Sequence, residues 1–306
     1  MREKVSFFSN GLKLAGELFS PEGEKGGTGL AGIVISHPVT SVKEQSPAFY
    51  AQRLADNGFV VLTFDAAFQG ESEGTPHLLE DPFIRSENVK DAVSYLVSRD
   101  EVDAGRVGVL GICGSGGYVP FAASTDRRMK AVATVSAVNI GDMYRDGFDL
   151  SGQEPGAVDH LLTVANNART EGEGGEAVLM PMLPMTEDEA MQAPPRSMMR
   201  EAWEFYRTPR CMHPNAPNKI VTYSIDQCVA FDAWSFLGMI SPRPLLMIAG
   251  TEADTRAHSE RAIGKAEEPK ELFWVEGASH VDLYGDRDRF LDPAVAKLTE
   301  FFSTTL

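Results

Sequence analysis

The stretch that decides the fold of this 306-residue chain is Val107-Gly108-Val109-Leu110-Gly111-Ile112-Cys113-Gly114-Ser115-Gly116-Gly117. Its first half is an apolar run typical of a buried strand, and a glycine-rich turn and a helical pattern follow. Such a turn holds its central residue, Cys113, in a strained conformation, and the flanking Gly111 and Ser115 are small enough to avoid a clash. The sulfur then lies at a helix N-terminus, whose partial positive charge favours thiolate over thiol. The segment therefore predicts a nucleophilic cysteine.

The same residues argue against a nucleotide-binding loop but leave two other roles open for the cysteine. A dinucleotide-binding loop needs G-x-G-x-x-G spacing and a phosphate loop needs a following lysine, and neither occurs here. A buried, unreactive cysteine in a tight turn stays open. A redox thiol also stays open, with Cys211 or Cys228 as its resolving partner, although neither lies in a recognised resolving motif.

Strand and helix patterns alternate along most of the chain. Two apolar runs around Asn10-Gly11 predict an antiparallel hairpin between residues 5 and 19. The buried-strand runs that follow cover residues 31–36, 59–64, 107–110, 131–135, 244–249 and 272–275. Helical patterns lie between them, so the sequence predicts an α/β fold with a mostly parallel sheet covered by helices on both faces.

The alternation stops between about residues 138 and 229, where the composition changes. Eight of the chain's twelve methionines, at positions 143, 180, 182, 185, 191, 198, 199 and 212, fall in this segment. We predict a core domain made of residues 1–137 and 230–306, and a helical cap inserted at 138–229. Flexible thioethers suit a surface that adapts to varied apolar groups, although ordinary packing of cap against core explains them equally well.

Charge and composition exclude several functional classes. The chain carries 28 Lys and Arg against 44 Asp and Glu, a net charge of −16, which argues against nucleic acid and anionic membranes as partners. No apolar run reaches the length of a membrane span or a signal core. The three cysteines contain no C-x-x-C pair, so we expect a reducing, cytoplasmic location. The expected partner is a small-molecule acyl substrate, without cofactor or metal, and a homodimer is compatible with the cap.

A nucleophilic cysteine needs a base and a residue that orients the base. Of the six histidines, only His280 follows the last strand run, and it is the predicted base. The loop after residue 249 offers Asp254 as the predicted acid and Glu252 as the alternative. The acid would hold the imidazole tautomer and stabilise the imidazolium. The histidines at 77, 160 and 213 are expected to be solvated or packing residues, and His258, on a first helical turn, to be exposed.

An oxyanion hole needs two N–H groups that point at the developing negative charge. Gly114, directly after the nucleophile, supplies one of them. The second is expected from the loop after strand 31–36, from Val39 or Thr40, because Pro38 has no N–H. Glu44, slightly further along, is interpreted as a surface charge.

Together these residues resemble a known group, the dienelactone-hydrolase-like and fungal polyketide-transferase-like branch of the α/β-hydrolases. The resemblance implies an eight-stranded sheet with antiparallel first strands and a triad of Cys113, His280 and an acid. Three positions depart from the pattern: Ser115 replaces a glycine, Pro120 interrupts the helix, and the acid spacing is stretched to Gly250…Asp254. The motifs that carry the resemblance are His37-Pro38, Lys43-Glu44-Gln45, Phe64-Asp65-Ala66, Gly70-Glu71-Ser72, residues 111–117, Asp126-Arg127-Arg128, Ser241-Pro242-Arg243-Pro244 and residues 277–284.

A cysteine nucleophile selects among acyl donors. The tetrahedral intermediate expels its better leaving group, and thiolate leaves more readily than an unprotonated amine. Lactones, activated esters and thioesters are therefore the expected substrates of a hydrolase at this site. An acyltransferase that uses the same acyl-enzyme, and a non-catalytic ligand receptor that keeps the fold, are the alternatives.

Overall fold

The computed structural model of the protein describes residues 1–22 and 27–306. Its main sheet has eight strands in the order β1-β2-β4-β3-β5-β6-β9-β10, and β7 and β8 pair in a second, two-stranded sheet. The strands are β1 (Arg2–Ser9), β2 (Leu12–Phe19), β3 (Leu30–Ser36), β4 (Val60–Phe64), β5 (Val102–Ile112), β6 (Met129–Val135), β7 (Leu179–Pro181), β8 (Lys219–Val221), β9 (Leu245–Gly250) and β10 (Lys270–Val275).

Only the first strands of the main sheet are antiparallel. β1 pairs antiparallel with β2, and β2 pairs antiparallel with β4. All the other neighbours in this sheet pair parallel. The predicted mostly parallel sheet is thus confirmed, and so are the antiparallel first strands that the family resemblance implies.

The turn between β1 and β2 shows why the sequence forms a hairpin there. Asn10 and Gly11 both have positive φ, +49° and +80°. A two-residue turn of this kind needs positive φ at both positions, and Asn-Gly tolerates it best. The register pairs Ser9 with Leu12, which leaves the two turn residues alone between the strands.

Helices cover both faces of the main sheet. α1 lies beside α10 on one face, and α2 lies beside α3 on the other. On α2 the side chains of Val89, Ala92, Val93 and Leu96 are buried, as their spacing predicts. The helices are α1 (Ser46–Asp56), α2 (Pro82–Val97), α3 (Ser115–Thr125), α4 (Ile140–Asp146), α5 (Ala157–Glu171), α6 (Glu187–Gln192), α7 (Met198–Tyr206), α8 (Ser224–Ala230), α9 (Arg256–Lys265) and α10 (Asp288–Thr305).

Residues 138–229, which we call the insertion, contain α4 to α7, most of α8, and the β7–β8 pair. The sequence patterns predict helices at about residues 158–168 and 197–206, and α5 and α7 lie there. α8 packs against both α4 and α5, so these helices of the insertion contact one another. The division of the chain into a core domain and a cap stays a prediction.

The parallel strands place their carboxyl ends at one edge of the sheet, where ligands bind in open α/β sheets. The loops after β3, β5, β6, β9 and β10 begin there, and they carry the candidate residues Val39, Cys113, Asp254 and His280. In the part of the chain that the structure describes, no helix is both long and apolar enough to cross a bilayer.

Candidate active site

Cys113 occupies a strained turn between β5 and α3. Its φ is +58°, a left-handed value that is uncommon outside glycine. Backbone hydrogen bonds hold it there: its N–H donates to the Val135 carbonyl at 3.0 Å, and its carbonyl accepts from the N–H groups of Gly116 at 2.8 Å and Val138 at 2.9 Å. The turn therefore has the predicted shape, with Cys113 at its tip.

Close packing explains the small residues around the turn. A Cβ placed on Gly111 would lie 2.0 Å from the Ser115 carbonyl oxygen, and one on Gly116 would lie 2.6 Å from the Ala137 Cα. Both contacts are with backbone, which cannot move aside as a flexible side chain can. The predicted need for a small residue two positions before Cys113 thus has a direct steric cause.

Ser115, where the family pattern has glycine, joins the turn to the loop after β3. Its hydroxyl lies 2.5 Å from the His37 carbonyl oxygen and 2.9 Å from the Ser36 hydroxyl. The Arg85 Nη2 donates to the same carbonyl at 2.6 Å and to the Ser115 hydroxyl at 2.9 Å. These hydrogen bonds fix the chain just before Val39, whose N–H is a candidate for the oxyanion hole.

Arg85, which donates to the His37 carbonyl, also forms a buried ion pair with Glu80 that no sequence pattern indicates. Arg85 and Glu80 are both 1% exposed, and they pair through Nη1 at 3.1 Å. The Tyr118 hydroxyl donates to Glu80 at 2.8 Å. Burial raises the pKa of Glu80, and the charge of Arg85 opposes that rise. In the sequence Arg85 looks like an ordinary charged position on an amphipathic helix, so no local pattern distinguishes it.

The Cys113 sulfur lies among three hydrogen-bond donors but away from water. Its residue is 5% exposed, and this burial raises the pKa of the thiol. In its thiolate form the sulfur can accept from the Tyr284 hydroxyl and from the N–H groups of Gly114 and Val39, and these interactions act in the opposite direction. Burial thus works against the thiolate that the helix N-terminus favours. Val39, rather than Thr40, supplies the N–H that reaches the sulfur.

His280 lies fully buried between two hydroxyl groups. Its Nδ1 is 2.5 Å from the Thr255 Oγ1, and its Nε2 is 3.0 Å from the Tyr284 hydroxyl. Burial lowers the pKa of the imidazole to about 3. The Ser136 hydroxyl donates to the His280 carbonyl at 2.9 Å, which anchors the loop after β10 to the end of β6. His280 is thus a neutral imidazole whose Nε2 contacts Tyr284, and Tyr284 lines the same pocket as Cys113.

Neither predicted acid partners the imidazole among the hydrogen bonds of the described residues. The Asp254 Oδ2 accepts from the N–H of Met198, the first residue of α7, at 2.8 Å, and burial raises the pKa of this carboxyl. Glu252 is half-exposed and pairs with Arg196 at 3.0 Å. The expected contact is therefore replaced by the hydroxyl of Thr255. Thr255 directly follows Asp254, and the loop turns this neighbour, not the carboxylate, toward the base.

The expectation that His258 is exposed is wrong. It is fully buried, its Nδ1 accepts from the Asn139 N–H at 3.3 Å, and its Nε2 lies 3.1 Å from the Phe148 carbonyl oxygen. Burial lowers its pKa to about 4, so it is a neutral residue that joins α9 to the loops around α4. His77 and His160 are exposed, and His213 is half-buried.

A second buried charge lies beside the loop after β3. The Lys43 ammonium is 2.8 Å from Asp65, 2.7 Å from Glu44 and 2.7 Å from Glu71. Glu44 is thus half-buried and paired, not a free surface charge. In the described ranges these three carboxylates form the group close enough together to share a metal ion, and the Lys43 ammonium lies among them. The cluster ties the loops after β3 and β4 together.

A small apolar pocket of about 30 Å³ lies over the sulfur. A second pocket, of about 450 Å³ and more open, shares Met143, Phe148 and Met182 with the first. Four of the predicted cap methionines, at 143, 180, 182 and 199, line this outer pocket. The inner pocket is lined by Val39, Thr40, Cys113, Gly114, Val138, Ile140, Met143, Phe148, Met182, Leu183, Met198, Tyr206 and Tyr284.

Residues 37–292 match the sequence profile of a family described as the alpha/beta hydrolase family. The sheet order, the turn at Cys113 and the final histidine are those of this class, so the chain belongs to that family. It is also similar over its whole length to the crystal structure of a hypothetical protein, PA2218, from Pseudomonas aeruginosa. The TM-score is 0.89 at 34% identity, with 100% of this chain and 94% of that chain covered.

Two fungal relatives carry names that state an activity. The thiohydrolase aneE of Aspergillus aculeatus is 35% identical over 133 residues, which is 43% of this chain and 40% of that protein. The acyltransferase drtE of Aspergillus calidoustus is 26% identical over 285 residues, 88% of this chain and 85% of that protein. The homologues of this hydrolase-fold chain thus include both a hydrolase and an acyltransferase.

The packing at the turn predicts that Gly111→Ala destabilises the protein strongly. The added methyl group meets backbone at 2.0 Å, so we expect a loss of about 3 kcal/mol or more in the free energy of unfolding. Chemical denaturation measures it. Gly264→Ala is the matched control, because nothing lies within 4 Å of its Cβ position on α9. Equal stability of the two variants would contradict the steric account.

Burial of the sulfur predicts the pH at which Cys113 becomes reactive. Because its pKa is raised, the rate of alkylation by iodoacetamide should keep rising above about pH 10, where a free thiol of ordinary pKa is already almost fully ionised and reacts close to its maximal rate. Mass spectrometry of the Cys113 peptide gives the rate, and urea-unfolded protein provides the reference. A plateau below pH 8 in the folded protein would show that the helix N-terminus outweighs burial.

Proposed function

We propose that the protein hydrolyses ester, lactone or thioester bonds of a small, largely apolar substrate through a covalent acyl-enzyme on Cys113. The observation that carries this proposal is the convergence on one sulfur of the N–H groups of Gly114 and Val39, with the His280 imidazole one hydroxyl away. Acyl transfer needs a nucleophile next to two backbone N–H groups that can hold the developing oxyanion, and this turn places the thiol in such a position.

The protonation states define the order of events. Burial keeps Cys113 as a thiol and His280 as a neutral imidazole near pH 7, so the proton leaves the sulfur as the sulfur attacks, not beforehand. The carbonyl oxygen takes up the negative charge and accepts from Gly114 and Val39. The imidazolium has a low pKa and is therefore a strong acid, able to protonate a departing alkoxide or thiolate. Water then releases the acyl group by the reverse sequence.

Thr255 takes the orienting role in this proposal. Its hydroxyl oxygen can accept the Nδ1 proton of His280, which leaves the Nε2 lone pair free to act as a base. A neutral hydroxyl stabilises an imidazolium less than a carboxylate does. This weaker support suits a cysteine, whose thiol is more acidic than a serine hydroxyl and needs a weaker base.

The pockets support an apolar acyl group. The inner pocket offers a short acyl chain an apolar lining directly over the sulfur. A longer chain would pass between Met143, Phe148 and Met182 into the outer pocket, where flexible thioethers fit varied shapes. In this proposal the insertion is the cap that forms the substrate site, and the dienelactone-hydrolase-like branch is the group that this chain resembles.

Acyl transfer to an alcohol or thiol is the second candidate. The 5% exposure of Cys113 favours it, because an acyl-enzyme shielded from bulk water survives until an acceptor arrives. The similarity to a fungal acyltransferase supports the same alternative. The yield of transfer product against free acid, measured with rising concentrations of a thiol acceptor, separates the two.

The covalent step predicts a mass increment. Brief exposure to an aryl acetate or an acyl thioester should add one acyl group to the wild type, as intact-protein mass spectrometry detects. Cys113→Ala should carry no adduct, whereas Cys211→Ala, which removes a half-buried cysteine elsewhere, should acylate as the wild type does. If the wild type acquired no adduct and turned nothing over, the ligand-receptor alternative would replace this proposal.

The outer pocket predicts a chain-length preference. Leu161 lines the outer pocket but not the inner one, so Leu161→Trp should fill the outer pocket without touching the sulfur. Each buried methylene contributes about 0.8 kcal/mol, roughly fourfold in binding. We therefore expect kcat/KM for a dodecanoyl thioester to fall at least tenfold, and kcat/KM for a butanoyl thioester to stay within twofold. Leu161→Ala should leave kcat/KM unchanged for both substrates. An equal loss of kcat/KM for both substrates in Leu161→Trp would show that the acyl chain does not occupy the outer pocket.

A further inference from the structure

The hydroxyl of Tyr284 contacts the imidazole and lies beside the cysteine. It is 3.0 Å from the His280 Nε2. Tyr284 also lines the inner pocket together with Cys113, and it is close enough to the sulfur to influence the pKa of the thiol. Tyr284 ends a short 3-10 helix, Val281–Tyr284, four residues after the histidine. In a direct cysteine–histidine pair Nε2 would face the sulfur, but here the phenol occupies the Nε2 side of the imidazole.

Its surroundings fix the phenol in this position. Tyr284 is fully buried, and its ring packs edge-on against Phe205 at 5.3 Å between centroids. The Tyr50 hydroxyl donates to the Leu283 carbonyl at 2.6 Å, which holds the 3-10 helix against α1. Directly after it, Gly285 has φ +114° and leaves no room for a Cβ, which would lie 2.5 Å from Phe49. A hydroxyl held this firmly keeps one geometry during a reaction.

The chemistry of the phenol suits a relay and not a base. Burial and the neighbouring Cys113 raise its pKa well above the ordinary value, so the oxygen keeps its proton. A neutral hydroxyl can accept one proton while it donates another. Besides the Tyr206 hydroxyl, its neighbours here are the two reacting groups: a thiol that must lose a proton and an imidazole nitrogen that must gain one.

We propose that Tyr284 is a catalytic residue whose hydroxyl relays the proton between the Cys113 sulfur and the His280 Nε2. This inference rests on the acyl-enzyme mechanism proposed above and adds a residue that the triad pattern does not contain. The relay needs the proton of the neutral imidazole to lie on Nδ1, where the Thr255 oxygen can accept it.

Each transfer in the relay is balanced. As the sulfur forms its bond to the carbonyl carbon, the S–H proton passes to the Tyr284 oxygen and the phenol proton passes to Nε2. The carbonyl π electrons move to the oxygen, which accepts from Gly114 and Val39. When the bond to the leaving group breaks, Nε2 returns its proton to Tyr284, and the phenol donates one to the departing atom. Tyr284 ends each half-reaction unchanged.

Tyr284→Phe removes the relay and keeps the ring. We expect the rate of acyl-enzyme formation, measured by rapid-quench mass spectrometry, to fall about 100-fold or more, the usual contribution of positioned proton transfer. Binding of a non-reactive ketone analogue of the substrate should stay within threefold. Tyr95→Phe is the control: it also deletes a phenol oxygen, but one on α2, where the ring stacks on Phe7 and takes no part in the site. It should leave acylation within threefold.

The outcomes separate this inference from the proposed function. A wild type that forms no adduct overturns both. A wild type that acylates, with Tyr284→Phe within threefold of it, overturns only the relay, and so does an equal loss in Tyr284→Phe and Tyr95→Phe. If Tyr284→Phe does not fold, the proton inventory of wild-type acylation in H₂O–D₂O mixtures decides. Two protons in flight give a curved plot, and a straight line overturns the relay.

Discussion

The left-handed backbone of Cys113 is the constraint on which the rest of the site depends. A non-glycine residue at φ +58° costs roughly 1–2 kcal/mol, and the fold sustains it with three backbone hydrogen bonds and the close approach of Gly111 to Ser115. Because the turn is sharp, the sulfur projects beyond the carboxyl edge of the sheet. There it lies beside Val39, on the loop after β3, and beside Tyr284, whose hydroxyl contacts the imidazole. A relaxed turn would move the sulfur away from both residues.

Burial, more than charge, determines the chemistry of this site. The sulfur, the imidazole and the Tyr284 phenol all lie away from water. Desolvation shifts the pKa of each group in the direction that favours its neutral form. The charged groups nearby serve structure: Arg85 pairs with Glu80 and holds the loop before Val39. In the mechanism proposed above, protons move while bonds form, so the reactivity of the site comes from the positions of neutral groups and not from a preformed thiolate.

The fold could be predicted from the sequence because its signals are local. Apolar strand runs, the Asn10-Gly11 turn and the glycines around Cys113 each carry their own physical reason. The partner of the imidazole was missed because a loop's direction depends on contacts far away in the chain: Asp254 is drawn to the N–H of Met198, which leaves Thr255 to face His280. Buried charges such as Arg85 were missed because amphipathic spacing does not show which polar side chain finds an internal partner.

The loop after β9 connects the shape of the pocket to the orientation of the base. Two consecutive residues face opposite sides: Thr255 contacts the imidazole, and Asp254 accepts from the first N–H of α7, where a helix favours negative charge. Met198, the residue so held, lines the pocket over the sulfur. Under the proposed function, a shift of α7 that admitted a larger acyl group would therefore pull on the residue next to Thr255. Substrate fit and the alignment of His280 with Tyr284 would then be coupled through a single peptide unit.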